Sequence, residues 1–207
     1  ANIAGGKSDV FISQTIEGKI DIDTEGGIFT DLKIEREHTG KNQKDPWWRA
    51  DNKNFIQIFT NSGSNLISVN GNNSRIKNTQ TDYKILNYET NSDLEAIEST
   101  QTFLTNFQTW VSQAFGKTVF GTWFNTPAGK HNSLNLRYQI QTAKDFQIEN
   151  GKVYQLIFEK QSGVESILKL TIGAPFGYKW KESQGPVFTY ENSQLESRII
   201  LNLTLEK

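Results

Sequence analysis

The chain has 207 residues, 35% hydrophobic and 22% charged, with a formal net charge of −1. A chain of that length buries a core without covalent staples, and either one large all-β domain or two small ones fit it. The balance excludes a disordered chain and the electrostatic footprint of nucleic-acid binding, and no apolar run reaches membrane-spanning length.

There is no Cys, no Met and only two His. The residue types therefore offer no disulfide framework, no thiolate nucleophile and no zinc site, and no metal or cofactor is predicted. A start at Ala1 without an initiator Met or a signal peptide reads as an excised or processed piece.

Residues 1–8, with Gly5-Gly6, read as a linker into the module. Val10 to Asp23 is a first strand, with Ile16, Ile20 and Ile22 alternating with charged residues. Thr24 to Gly27 is a glycine-assisted turn, and Ile28 to His38 returns as the partner strand. Glu35, Arg36, Glu37 and His38 are polar in a row, which predicts an exposed edge there. Thr39 to Asn54 is a loop rich in Lys, Asp and Trp. Phe55 to Thr60 is apolar on both faces and is predicted to lie centrally. Leu66 to Val69 and Tyr83 to Tyr88 are short strands separated by Asn/Gly/Ser turns.

Asn91 to Phe115 changes period. Leu94, Ile97, Leu104, Phe107, Val111 and Ala114 are spaced for one helix face, Ser92 to Glu95 matches a capping box, and Gly116 is a stop signal. Thr100, Thr102, Thr105 and Thr109 oppose the helix through β-branching. The spacing predicts one helical insertion around 92–115. Strands resume with Lys117 to Thr126, a Thr126-Pro127-Ala128-Gly129 turn, and Leu134 to Ile140 in strict alternation. Five more strands follow, ending in Arg198 to Glu206. Turn signals at about ten-residue spacing predict an all-β fold, an antiparallel, immunoglobulin-like β-sandwich carrying that helix. The reading takes 1–207 as one module, with two packed subdomains, 1–75 and 76–207, as the alternative.

Several stretches carry a family resemblance: Asn2 to Phe11, Glu37 to Leu66, Tyr154 to Leu170 and, most specific, Gly-Lys-Thr-Val-Phe-Gly-Thr-Trp followed by Pro-Ala-Gly within Gly116 to Tyr138. On these the chain resembles the C-terminal extracytoplasmic region of the bacterial family called domain of unknown function 4012, whose members are typically membrane-anchored. The resemblance implies an extracellular or cell-surface location, with an anchor upstream in the full-length protein. It implies no catalytic or ligand residues.

The best candidate site is the loop Asp45 to Asp51. Adjacent Trp47 and Trp48 cannot both enter one strand face, and an exposed Trp beside Asp45, Arg49 and Asp51 suits sugar stacking or protein contact. The competing reading has one Trp plugging the sandwich while Arg49 pairs with Asp45 or Asp51. A second surface candidate is Tyr178 with Trp180, which share a predicted strand face with Phe176; pointing inward they are core. Asp21 to Gly26 faintly echoes a calcium loop but has Leu32 where the bidentate Glu belongs, so a hairpin turn explains it better. Glu35, Glu37 and His38 lack a nucleophile and an oxyanion donor, and read as a solvated strand end. His131 reads as an exposed loop residue. Asn72-Asn73-Ser74 and Asn202-Leu203-Thr204 match the glycosylation sequon, incidentally in a bacterial chain.

Together these readings describe no enzyme. They describe a non-catalytic spacer, scaffold or adhesion module, with a carbohydrate-binding module and a self-assembling surface protein as alternatives. The partners would be cell-envelope glycan or another surface protein.

Overall fold

Residues 8–73, 85, 87–140, 147–161, 163, 165–195 and 197–207 are described by the computed structural model. Period-two alternation dominates these residues, and they form strands accordingly. In chain order these are β1 (Ile12–Ile22), β2 (Ile28–His38), β3 (Asn52–Asn61), β4 (Ser64–Asn70), β5 (Thr102–Leu104), β6 (Thr109–Ala114), β7 (Lys117–Thr126), β8 (His131–Ile140), β9 (Val153–Glu159), β10 (Ser166–Gly173), β11 (Lys179–Trp180), β12 (Val187–Asn192) and β13 (Arg198–Glu206). Among the described residues one α-helix, α1 (Ser92–Ser99), lies between β4 and β5.

Six strands form one sheet in the order β12-β10-β1-β2-β8-β4; two smaller sheets run β3-β7-β6-β5 and β11-β13-β9. The described strand pairs are antiparallel except β1 with β10, which is parallel. Register puts Leu168, Ile16, Ile34 and Leu134 in one row across β10, β1, β2 and β8. Partners in a row share a face, so the large sheet has one apolar side. Ile34, Leu134 and Leu136 pack there against Phe120 and Phe124 of β7. Ile16, Leu168 and Leu170 pack with Leu156 of β9 and Leu201 of β13. Leu32 of β2 belongs to both clusters, so both small sheets cover the same side. The fold is an all-β sandwich with one continuous layer and one split layer. The other side of the large sheet is wet: Lys33 pairs with Glu17 and Glu35, and Arg137 with Asp31.

Strands from 1–75 are hydrogen-bonded to strands from 76–207 in each case: β1 to β10, β2 and β4 to β8, and β3 to β7. The two stretches share their sheets.

Four expectations need correction. The helix predicted over 92–115 ends at Ser99, and its N-cap is Asn91, whose side chain accepts from the Asp93 and Leu94 N–H groups. Beyond it the chain forms a hairpin, with Val111 opposite Phe120. The β-branched threonines fit strands better than a helix, and Gly116 serves a different purpose: Phe115 and Gly116 both have positive φ (52° and 70°), as a two-residue hairpin turn requires. β3 is not central but at a sheet edge, bonded to β7; Ile56 and Ile58 face the core while Phe55 packs on Trp123 on the other side. The far end of β2 is not exposed, because β2 lies between β1 and β8 and buries Arg36 and His38. Phe176 to Trp180 is not one strand face: Pro175 to Tyr178 is a turn closed by the Tyr178 N–H on the Pro175 carbonyl, and β11 has two residues. The strand expected over 83–88 falls largely outside the described residues.

Candidate contact site at the tryptophan ledge

Even-numbered residues of β2 point to the apolar side. Past Leu32 and Ile34 the same alternation carries Arg36 and His38 inward, at 7% and 0% exposure. His38 closes the strand and organises the loop after it. Its Nδ1 accepts the Gly40 N–H at 3.0 Å, which leaves the ring proton on Nε2 to donate to the Ala50 carbonyl at 3.0 Å. One imidazole thus ties both ends of the 39–50 loop. The turn after β7 clamps the same residue: the Gly129 N–H donates to the His38 carbonyl at 2.8 Å, and the His38 N–H to the Lys130 carbonyl at 3.0 Å. The Pro-Ala-Gly stretch thereby positions the ledge without forming it. Gly40 admits no larger residue, because a Cβ there would stand 2.5 Å from the Trp48 carbonyl oxygen.

Within the loop, Asp45 Oδ1 accepts the Trp47 N–H at 2.8 Å and the Asp45 carbonyl accepts the Trp48 N–H at 3.1 Å. This tight turn presents both indoles. Trp47 is 59% exposed and Trp48 37% exposed, the latter set edge-on against Phe11 with ring centroids 5.6 Å apart. Arg49 and Asp51 are exposed. Among the described residues no ion pair joins Arg49 to Asp45 or Asp51. Trp47 therefore plugs nothing, and the loop is an outward ledge.

Beneath it runs a polar network for which the composition gave no warning. Arg36 Nε donates to Gln14 Oε1 at 2.7 Å and Nη1 to Asn52 Oδ1 at 3.3 Å; Gln14 Nε2 donates to Ser166 Oγ at 3.0 Å. Asn52 Nδ2 donates to Asp9 Oδ1 at 2.6 Å and to Ser8 Oγ at 3.3 Å. Burial pushes the Arg36 guanidinium down to about 10, with Asp9 pulling the other way. The missed signal was available: continuing the β2 alternation two steps past Ile34 places Arg36 and His38 on the buried side.

The second candidate divides. Trp180 is 1% exposed, its Nε1 donates to the Ile172 carbonyl at 3.0 Å, and its ring meets Tyr154 edge-on, so it is core. Tyr178 is half-buried against the same cluster. Asp23 accepts the Glu25 and Gly27 N–H groups and is a hairpin residue, as its turn reading holds. Asn72 of the first sequon donates to the Phe107 and Gln108 carbonyls and to Thr122 Oγ1, an internal tether between β4 and β7. Glu35 lies on the wet side, bonded by Lys33 and Ser133, with exposed His131 3.7 Å away. A shallow depression of about 480 Å³ lies by the β1–β2 turn at the opposite end from the ledge, lined by Thr24, Glu25, Gln147, Ile148 and Glu149. No described helix is long and apolar enough to cross a membrane.

No protein-family model matches the chain, and no curated protein matches it. Among solved structures, it is similar to one described as a "putative protease" from Parabacteroides distasonis, at 13% identity and a TM-score of 0.37. The match covers 95% of this chain and 35% of that one, so this chain spans about a third of its length. A likeness that weak carries no argument about activity.

Proposed function

We propose that this chain is a non-catalytic module of a bacterial envelope-anchored protein, acting by surface contact as a spacer, scaffold or adhesion surface, with the ledge around Trp47 as its contact point. The observation that carries the reading is the exposure of Trp47 on a loop tied by a buried His38. A large apolar ring held outward costs hydration unless something covers it, and a pre-formed loop loses little freedom on binding. The extracytoplasmic setting rests on the resemblance to domain of unknown function 4012. The test is a pull-down with intact envelope fragments, comparing the native chain with Trp47→Ala. Retention lost only in the variant supports the reading; equal retention of both removes the ledge from it.

A second reading, a carbohydrate-binding module, is favoured by the same indole, flanked by the hydrogen-bonding side chains of Arg49 and Asp51. A glycan array together with a water-soluble tryptophan oxidant separates the two. Sugar binding that protects Trp47 from oxidation selects the carbohydrate reading, and an empty array with envelope retention selects protein contact.

A further inference from the structure

We propose that Ser8–Phe11 is a latch on the tryptophan ledge, so that the ledge keeps its shape only while the chain leading into β1 is docked. This rests on the reading of the ledge as the contact surface, and it adds regulation to it. Three fastenings carry the argument: at the first loop residue, at the second tryptophan of the ledge, and at the strand residue just past the loop. Thr39, the first loop residue, donates its hydroxyl to the Phe11 carbonyl at 3.1 Å. Further on, Phe11 supports the Trp48 ring. Just past the loop, Asn52, which opens β3, donates to Asp9 and Ser8.

The segment that makes these contacts is a single 3-10 turn outside every sheet. Its fastenings to the loop lie outside the sheet ladders, and a short segment of that kind opens at lower cost than the strands of the core. Asp9 couples this opening to the interior: through Asn52 it meets buried Arg36, and its negative charge offsets the burial of that guanidinium. Undocking of Asp9 is thereby transmitted to Trp48 through Phe11 of the same turn.

The test is Asp9→Ala in the full chain, read by 19F NMR after 5-fluorotryptophan labelling, with the five resonances assigned by Trp→Phe substitution. The expected result is a shift of the Trp48 resonance, with hydrogen exchange at the Gly40 and Trp48 amides about tenfold faster, as loss of one aromatic support implies. Trp180 and Trp123 stay unmoved. Exchange unchanged within about twofold overturns the latch, and so does a Trp180 shift equal to that of Trp48, which marks global loosening. The measurement needs no ligand. A ledge that binds nothing therefore refutes the contact reading while leaving this result to stand or fall by itself.

Discussion

Trp47, in the best candidate loop, and Trp180, in the second candidate surface, are both aromatic residues near polar neighbours, and they occupy opposite environments. Trp180 sits at 1% exposure, its N–H matched to the Ile172 carbonyl and its ring set against Tyr154. Trp47 sits at 59%, on a turn in which Asp45 accepts the Trp47 and Trp48 N–H groups. The difference lies in what each chain segment can reach. β11 joins β13 beside the apolar face of the large sheet, where the indole finds both a partner for its N–H and close packing. The 45–51 loop leaves β2 at the end of the sandwich, and the space inward is already taken by Arg36, Asn52 and His38. A tryptophan is a core residue where its flank meets an open sheet face, and a surface residue where polar side chains have filled the interior first.

Four substitutions break or sharpen that contrast. The largest effect is expected for Trp180→Ala, which opens a cavity and strands the Ile172 carbonyl; chemical denaturation should show a loss of about 3–5 kcal/mol. Gly40→Ala should cost about 1–3 kcal/mol, because the added methyl meets the Trp48 carbonyl; the same melt should be accompanied by faster oxidation of Trp48. Trp47→Ala should change stability by no more than about 0.5 kcal/mol while abolishing retention on envelope fragments. A loss above that would return Trp47 to a structural role.

The smallest effect belongs to the wet face. The Lys33 hydrogen bond, helped by Ser133 and His131, holds Glu35 below its ordinary value of 4.5, against a weaker opposing effect of burial. A carboxyl depressed in the folded state stabilises it above pH 4.5, and that contribution fades as pH falls through the lower folded value. Glu35→Gln should therefore lower stability slightly at neutral pH, and the deficit should vanish as pH falls through the folded value, which flattens the acid limb of the stability–pH curve below about pH 4.5. Identical acid limbs would show that the exposed ion pair contributes nothing.

Much of the strand layout was legible. The bounds of β2, Ile28–His38, follow directly from the sequence, since a hairpin turn starts it and alternation runs to its end. The β7 and β8 strands and the turn between them were legible for the same reason. The stretch 100–115 was not, because Leu104, Phe107 and Val111 fit a helical period while Phe103 and Trp110 fit a hairpin. Only pairing with β7 decides between them. The candidate site was half legible: the loop and its two Trp residues stood out by composition, but His38 and Arg36 were read as solvated because four polar residues in a row hide the alternation.

Local chemistry determined where strands and turns fall, through side-chain period, glycine and proline, and β-branching, all of which act within a few residues. Tertiary structure decided which polar side chains are buried, which sheet face each strand covers, and which tryptophan looks outward. Those outcomes depend on partners far away in the chain, such as Asn52 for Arg36, Ala50 for His38 and Phe11 for Trp48. The β2 alternation turns Arg36 and His38 inward, but no local pattern supplies the distant partners that satisfy them there.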